Sequence, residues 1–218
     1  MTFTAAGDAI ITKRLQPGHK GICDIKSFIS KGEARAVNLE VVLTRFDSFA
    51  SPYSGGTWIG AVPEVLDDLT EYGFNLYGLA NNHTMDYSYG GLESTLRQLD
   101  EKKLVHAGSG MNLYEASRPV YLDTPSGRVA MISICSTFND AARAGEQSAQ
   151  LPGRPGLNPL RFEKTYYVDA AHYDMVKSLA AVTKINASKE YSIKNGYSEP
   201  FPEGTMPFGA STFRLSDQ

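Results

Sequence analysis

The alternation of apolar and polar residues along the chain predicts strands and helices in turn. Three short apolar segments, at Phe3 to Ala6, Ala34 to Leu39 and Phe74 to Ala80, fit buried strands that end in polar residues. Between the second and third strands, Pro63 opens a helix with its apolar residues on one face, and Gly73 is its predicted stop. Strands that alternate with helices are typical of an α/β domain.

The pattern continues with a helix, a strand and a hairpin. A helix from Gly91 to about Lys102 places Leu92, Thr95, Leu96 and Leu99 on one stripe, and a short strand from Leu104 to Ala107 follows it. Two apolar segments then flank Thr124-Pro125-Ser126-Gly127, which has proline and glycine where a type I turn favours them. These two segments predict a hairpin.

The remaining third of the chain predicts one helix between irregular segments. Asp169 has the character of an N-cap, and the helix after it carries an apolar face made of His172, Met175, Leu179 and Val182. Frequent proline and glycine with little periodicity predict loops at about residues 136–167 and 195–218. We therefore expect residues 1–218 to form a single domain with two irregular loops.

Composition and charge limit the classes of partner and compartment that the sequence predicts. The 21 Lys and Arg residues are outnumbered by 24 Asp and Glu residues, for a net charge of -3, so we expect no nucleic-acid partner. No long apolar run and no secretory leader pattern are present, which predicts no membrane segment and leaves the compartment unassigned. Cys23 and Cys135 lie far apart without a CxxC, so we expect two ordinary thiols.

Polar clusters follow the three predicted strands directly. They are Gly7-Asp8, Asn38-Leu39-Glu40 and Asn81-Asn82-His83, with Asp86 close behind the last. The carboxyl ends of strands in an α/β sheet form one rim where ligands bind, so these side chains are expected to lie within reach of each other. Carboxylate, amide and imidazole groups suit Mg, Mn, Fe or Zn. Solvated strand ends and turn capping would produce the same residues, so that interpretation stays open.

Further motifs extend this pattern in order along the chain. They are Leu79-Ala80-Asn81-Asn82-His83-Thr84-Met85-Asp86-Tyr87, Gly91-Leu92-Glu93-Ser94-Thr95-Leu96, Ala107-Gly108-Ser109-Gly110-Met111-Asn112, Glu115-Ala116-Ser117-Arg118-Pro119 and Pro155-Gly156-Leu157-Asn158-Pro159-Leu160. With Gly7-Asp8 and Asn38-Leu39-Glu40 before them, they resemble the CapA family of poly-γ-glutamate capsule biosynthesis proteins. The resemblance covers about residues 3 to 185.

This resemblance implies a fold, a cofactor and an activity. The CapA family is related to calcineurin-like metallophosphoesterases, which implies a β-sandwich flanked by helices with a two-metal centre at the strand ends. Carried over by motif, the metal ligands would be Asp8, Asn38, Glu40 and Asn82. His83 would act on the substrate or protonate a leaving group, and Asp86 would orient it. The implied chemistry is hydrolysis of a polyanionic polymer or phosphoester, dependent on divalent Mn, Fe, Zn or Mg.

Departures from the family pattern support an alternative. Ser88 stands where the family has glycine, which would alter a turn that needs a positive φ. The family's later His-Trp-Gly and Gly-His-His-Pro-His motifs have no counterpart after His172, so we expect an incomplete fold and metal centre. A non-catalytic polymer-binding or scaffold protein is therefore the alternative function. Exposed sheet edges would then favour dimerisation or strand exchange. A flavodoxin-like binder would need a glycine-rich loop, and only Gly7 follows the first strand.

Other candidate residues have simpler structural interpretations. His19, His106 and His172 lack a cluster of partners, and we expect structural roles for them. The aromatic residues Phe46, Phe49, Tyr53 and Trp58 are expected to pack on their own sheet rather than line a polymer groove. The segment from Gly108 to Asn112 has the composition of an anion-binding nest, and an ordinary loop has the same composition.

Overall fold

A computed structural model describes residues 1–16, 18–19, 21–53 and 56–216. The predicted loop at 195–218, the aromatic segment from Phe46 to Trp58 and the segment between the first two strands therefore lie partly outside the described residues. The chain divides into two compact units, Met1–Leu160 and Arg161–Gln218. The mixed α/β class that the sequence predicts is confirmed.

The first unit contains most of the secondary structure. Its elements are β1 (Phe3–Asp8), α1 (Ile22–Ile29), β2 (Ala34–Asn38), β3 (Val42–Leu43), β4 (Gly60–Ala61), α2 (Val65–Tyr72), β5 (Leu76–Gly78), α3 (Ser88–Glu101), β6 (Val105–Ala107), β7 (Ser109–Gly110), α4 (Leu113–Ser117), β8 (Val120–Thr124), β9 (Gly127–Met131), a 3-10 turn (Asp140–Ala142) and β10 (Gly156–Leu157).

A four-stranded parallel sheet in the order β1-β2-β5-β6 organises this unit. Each neighbouring pair runs parallel, so all four strands end at the same edge of the sheet. The strand β5 is shorter than the predicted segment, because only Leu76 to Gly78 pair with both neighbours. The predicted hairpin is confirmed: β8 and β9 pair antiparallel, with Thr124 opposite Gly127.

The helices α2 and α3 cover the core as their apolar stripes predict. Val65, Leu66 and Leu69 of α2 are buried, and Gly73 ends that helix in a left-handed conformation at φ 100°. In α3 the buried residues include Leu92, Thr95, Leu96 and Leu99, the predicted stripe. The core that these helices share with the sheet includes the fully buried Tyr77.

The second unit is a small sheet with two helices. Its elements are β11 (Thr165–Val168), α5 (Ala170–Thr183), α6 (Ala187–Lys194), β12 (Thr205–Phe208) and β13 (Ser211–Leu215), and its sheet has the order β11-β13-β12. Asp169 caps α5 as predicted, accepting a hydrogen bond from the backbone N–H of His172 at 2.9 Å. Residues 205–215 form an antiparallel pair of strands, which differs from the loop that the sequence predicts there.

The buried face of α5 also differs from the prediction. Met175, Leu179 and Val182 are 65%, 50% and 82% exposed, and His172 on the same face is exposed as well. The helix instead buries Ala180. A helix with apolar residues on two sides has no single face dictated by periodicity, and the three-stranded sheet covers the side that carries Tyr173, Val176 and Ala180.

Two further expectations concern cysteines and membrane segments. Cys23 is exposed, Cys135 is buried, and both are free thiols, as predicted. Among the described residues, none of the helices has the length and apolar character needed to cross a membrane.

Candidate functional site

The ends of three adjacent parallel strands bring the predicted site residues together. Asp8 and Asn38 are the last residues of β1 and β2, and they pair directly in register. Asn38 also pairs with Gly78, the last residue of β5. The chain turns immediately after β2 to present Glu40, and β5 leads within a few residues to His83. We call the group formed by Asp8, Asn38, Glu40 and His83 the strand-end cluster.

The amide of Asn38 joins the two carboxylates of the strand-end cluster. Its Nδ2 donates hydrogen bonds to Asp8 Oδ1 at 2.8 Å and to Glu40 Oε2 at 3.0 Å. Asp8 is exposed, whereas Glu40 is only 8% exposed. A single NH2 group therefore bridges two like charges at the edge of the sheet.

Asn81 fixes the orientation of the Asn38 amide. The Nδ2 of Asn81 donates to Asn38 Oδ1 at 3.1 Å and to the Leu39 carbonyl at 3.0 Å. Because Asn38 Oδ1 accepts this bond, its NH2 group faces the carboxylates. Asn81 Oδ1 also accepts from the backbone N–H of His83 at 3.1 Å, so this buried side chain connects the end of β2 to the His83 turn.

The hydrogen-bond network therefore centres on Asn81, whereas the family resemblance implies a metal-ligand role for its neighbour Asn82. Asn82 is exposed and forms no side-chain hydrogen bond with the described residues. Thr84, three residues after Asn81, accepts from the Asn81 backbone N–H at 3.0 Å and closes the turn. An asparagine directly after a buried strand, with threonine three residues later, is the local signal for this turn.

His83, a partly buried member of the strand-end cluster, pairs with the buried Asp86 beside it. The Nδ1 of His83 lies 2.7 Å from Asp86 Oδ2, and Asp86 is 2% exposed. The same oxygen accepts from the Ile59 backbone N–H at 2.6 Å, which anchors the carboxylate from a second segment. A proton on Nδ1 satisfies Asp86, so the other ring nitrogen is left for chemistry. That nitrogen, Nε2, lies 3.8 Å from Glu40 Oε1.

Burial and like charge change the proton affinity of Glu40. Burial raises the pKa of its carboxyl above the ordinary value, the Asp8 carboxylate raises it further, and His83 opposes the shift. Burial also raises the pKa of Cys135, whose thiol donates to the Thr137 carbonyl at 3.1 Å. Burial, more than the neighbouring charges, therefore favours a proton on Glu40.

The side chains of the strand-end cluster are of the chemical types that bind a divalent cation. Their present spacing, however, does not form a metal site. Two carboxylates and an imidazole nitrogen suit such an ion. The raised pKa of Glu40 reflects burial first and then repulsion from Asp8, and a cation would relieve the repulsion. The NH2 group of Asn38 now lies between Asp8 and Glu40, the two carboxylates that would hold such an ion. Among the described residues, no three or more His, Cys, Asp and Glu side chains are arranged to hold a metal.

Ser88 adopts the left-handed conformation that the family's glycine would favour. Its φ is 54°, and its backbone N–H donates to the Met85 carbonyl at 2.9 Å. The turn between Asp86 and α3 is therefore kept, with a serine in a conformation that costs a non-glycine residue energy.

The remaining histidines lie outside the cluster. His106 Nε2 contacts Asp100 Oδ1 at 3.0 Å, and His172 Nδ1 contacts both carboxylate oxygens of Asp169 at 2.8 Å. His19 accepts from the Gly21 backbone N–H through Nδ1 at 3.4 Å. These contacts are local, as the structural interpretation of all three residues requires.

The aromatic segment is less packed than the sequence predicts. Phe49 is 92% exposed and Tyr53 is 58% exposed. Phe46 makes an edge contact with Tyr87 at 5.5 Å between ring centroids, and Trp58 Nε1 donates to the Ser51 carbonyl at 2.8 Å. The loop is held by a few anchoring contacts rather than by packing on the sheet.

The segment from Gly108 to Asn112 is occupied by internal contacts. The backbone N–H of Met111 donates to Glu115 Oε2 at 2.9 Å, and Asn112 caps α4 by accepting from the Glu115 backbone N–H at 2.9 Å. Gly108 has φ 105°, and a Cβ there would lie 2.6 Å from the side chain of Ser133. The glycines of this motif therefore serve tight packing.

Comparison with known proteins identifies relatives over most of the chain. The family model described as bacterial capsule synthesis protein PGA_cap matches residues 2–193. The uncharacterized proteins y4sH and y4uA of Sinorhizobium fredii are each 35% identical over 185 residues, which is 83% of this chain and 40% of the relative. The capsule biosynthesis protein CapA of Bacillus anthracis is 31% identical over 101 residues, which is 46% of this chain and 24% of CapA.

The chain thus spans less than half the length of these relatives. The family match includes the strand-end cluster, the His83 turn and the motifs that follow it. The predicted resemblance to the CapA family is confirmed, and the chain belongs to the bacterial capsule synthesis protein family PGA_cap.

Proposed function

We propose that this chain acts in the synthesis of a bacterial capsule polymer, that the polymer is poly-γ-glutamate, and that the strand-end cluster is its working site. The family match and the partial similarity to a capsule biosynthesis protein support the pathway. The observation that carries the site is the convergence of Asp8, Glu40 and His83 at the ends of parallel strands. Ligand sites of α/β sheets lie at such edges.

The proposed activity is hydrolysis at a phosphoester or amide, with a divalent cation held by Asp8 and Glu40 in a metallophosphatase-like arrangement. The Asn38 amide would have to turn or withdraw to admit the ion, since its NH2 group now lies between the carboxylates. When bound, such an ion polarises a phosphoryl or carbonyl oxygen and lowers the pKa of a bound water. The closeness of the Asp8 and Glu40 carboxylates, which share the NH2 group of Asn38, supports cation binding.

His83 supplies the proton chemistry of the proposed site. Asp86 accepts the Nδ1 proton and so holds the ring in one orientation, with Nε2 facing Glu40. A protonated Nε2 can donate to a leaving group, and a neutral Nε2 can accept a proton. Asp86 is a positioning residue here, because its carboxylate contacts His83 and the Ile59 backbone rather than the open edge of the cluster.

A second candidate function is non-catalytic binding of the capsule polymer. It is favoured by the same network that closes the cluster, since the Asn38 NH2 group already bridges the carboxylates. It is also favoured because, among the described residues, no three His, Cys, Asp or Glu side chains are arranged to hold a metal ion. In this case the strand-end cluster would stabilise the sheet edge and take no part in catalysis.

Calorimetric titration of Mn²⁺ and Zn²⁺ into the chelator-treated protein separates the two functions. We expect sub-micromolar binding that Asp8→Asn abolishes, because this change removes one of the two carboxylates. Asp123→Asn is the matched control, since it neutralises an exposed carboxylate on β8 that pairs with Arg128. Absence of metal binding to the parent protein would contradict the metal site. If the parent binds poly-γ-glutamate without binding either metal ion, the second function is favoured.

A further inference from the structure

A cavity on the first unit lies apart from the strand-end cluster. It measures about 440 Å³ and lies between one face of α3 and the segment from β6 to α4. The α3 residues that line it are Glu93, Leu96, Arg97, Asp100 and Glu101, which recur at helical spacing and so share one face. Its other wall includes His106, Ser109, Met111, Glu115 and Arg118. We call this the α3–α4 cavity.

Two polar groups of this cavity lack hydrogen-bond partners. Among the described residues, three buried side-chain atoms have no partner, and two of them are His106 Nδ1 and Ser109 Oγ. Ser109 is 5% exposed, and the side chain of His106 is 16% exposed. Buried polar groups without partners are rare in native proteins, because each one loses its hydration without compensation. Their occurrence together in one cavity indicates a missing partner.

The chemistry of these groups defines what the missing partner offers. His106 Nε2 faces the Asp100 carboxylate, which accepts its proton, so Nδ1 of the neutral ring is an acceptor. The Ser109 hydroxyl both donates and accepts, and it can rotate between staggered positions to meet a ligand. Both atoms are covered by neighbouring protein atoms, so rotation of the two side chains has to uncover them for a ligand. A group with several N–H donors, such as an ammonium, then offers a donor to each of them.

The rim of the cavity carries charges of both signs. Asp100 is paired with His106, Glu115 accepts from the Met111 backbone, and Arg97 lies 4.0 Å from Glu101. Glu93 and Arg118 form no ion pair with the described residues. A ligand with a single charge would meet both an attractive and a repulsive group, whereas a zwitterion is matched by both.

We propose that the α3–α4 cavity binds a small zwitterion, an α-amino acid, with its ammonium group toward Ser109 and His106 and its carboxylate toward Arg118 and Arg97. Leu96 and Met111 supply apolar surface for the carbon skeleton. The cavity shares no residue with the strand-end cluster, so this inference stands or falls independently of the proposed metal site.

Titration of small ligands into the full chain, followed by amide chemical shifts in NMR spectra, tests the charge requirement. Glycine is the minimal zwitterion, acetate and methylammonium each carry one of its charges, and glucose carries none. We expect saturable binding of glycine, at least tenfold weaker binding of acetate and methylammonium, and no binding of glucose. Equal binding of acetate and glycine, or no saturable binding of glycine, would overturn the proposal.

Variants test the assigned residues. Arg118→Gln and Ser109→Ala should each weaken glycine binding about tenfold. The matched control is Arg128→Gln, on β9 outside the cavity, which should bind glycine as the parent does. Ser109→Ala should be at least as stable as the parent without ligand, because it removes an unpaired hydroxyl. Unchanged affinity in both cavity variants would refute the assignment, as would a loss of unliganded stability in Ser109→Ala.

Discussion

Asn81 and Asn82 are adjacent and chemically identical, yet the structure gives them opposite roles. Asn81 is 6% exposed and forms side-chain hydrogen bonds to Asn38, Leu39 and the His83 backbone, whereas Asn82 is exposed. We expect Asn81→Ala to lower the free energy of unfolding by about 2–3 kcal/mol, because it leaves buried partners unsatisfied. The matched variant Asn82→Ala should change it by less than about 0.5 kcal/mol.

Urea unfolding of both variants provides the measurement. Equal losses of stability in the two variants would show that Asn81 does not hold the strand ends together. The same pair also tests the ligand role that the family resemblance implies for Asn82. If Asn82→Ala keeps its stability but loses Mn²⁺ affinity, the exposed amide is a metal ligand, and the two asparagines divide structure and binding between them.

Glu40 gives the site a defined pH dependence. Its pKa is raised in the folded protein, chiefly by burial and then by Asp8, so the folded state holds this proton more tightly than the unfolded state. The stability from that proton is fully present below the ordinary carboxyl pKa and is lost as the pH rises through the raised value. Glu40→Gln keeps an acceptor for Asn38 and removes the charge.

We therefore expect Glu40→Gln, in the presence of a chelator, to be more stable than the parent at neutral pH and to lose less stability as the pH rises from acid. The measurement is the free energy of unfolding in urea across a pH series. Glu71→Gln is the control, because Glu71 is an exposed carboxylate on α2, and it should leave the pH profile of the parent unchanged. A Glu40→Gln profile that follows the parent would contradict the raised pKa.

At the scale of elements, the start of α3 stores strain in one residue. Ser88 is the first residue of that helix and has φ 54°, a conformation that glycine adopts without a Cβ clash. We expect Ser88→Gly to raise the free energy of unfolding by about 1 kcal/mol, since the relief of strain exceeds the added entropy of the unfolded chain. Glu93→Gly, at an exposed position inside α3, should instead lower it by about 1 kcal/mol.

Thermal and urea unfolding of these two glycine variants should therefore move in opposite directions. A loss of stability in Ser88→Gly comparable to that in Glu93→Gly would mean that the serine side chain contributes more than its backbone strain costs. The comparison is informative because both substitutions lie in the same helix and introduce the same residue.

The elements that the sequence predicts well are those in which one face alone is buried. The stripe of Leu92, Leu96 and Leu99 faces the core as predicted, and Gly73 ends α2, because periodicity and a left-handed cap are local properties. The burial of α5 could not be predicted in this way. Its apolar residues lie on two sides, and tertiary packing selects Ala180 over Met175 and Val182.

The candidate site shows the same division between local and tertiary information. The order of strands and motifs predicts that Asp8, Asn38 and Glu40 meet, since parallel strands end at one edge. The choice between Asn81 and Asn82 depends on which amide turns inward to Asn38, a contact across 43 residues of sequence. The ligand proposed for the α3–α4 cavity depends on the unpartnered atoms of His106 and Ser109, which only the packed structure reveals.

At the scale of the whole molecule, the described core and the strand-end cluster belong to the first compact unit. The buried apolar cluster runs from Ala9 to Leu157, and the unit itself ends at Leu160. We expect a fragment of residues 1–160 to fold cooperatively, because it keeps the parallel sheet, α2 and α3 together with their shared core. Its urea transition should be sigmoidal, with the same midpoint by fluorescence and by circular dichroism.

The fragment should also retain glycine binding in the α3–α4 cavity, since every lining residue lies between Glu93 and Arg118.

Analytical ultracentrifugation of the fragment and the full chain tests the dimerisation expected from exposed sheet edges, because β1 pairs only with β2 among the described strands. A fragment that binds the dye ANS and unfolds without a cooperative transition would contradict independent folding of the first unit.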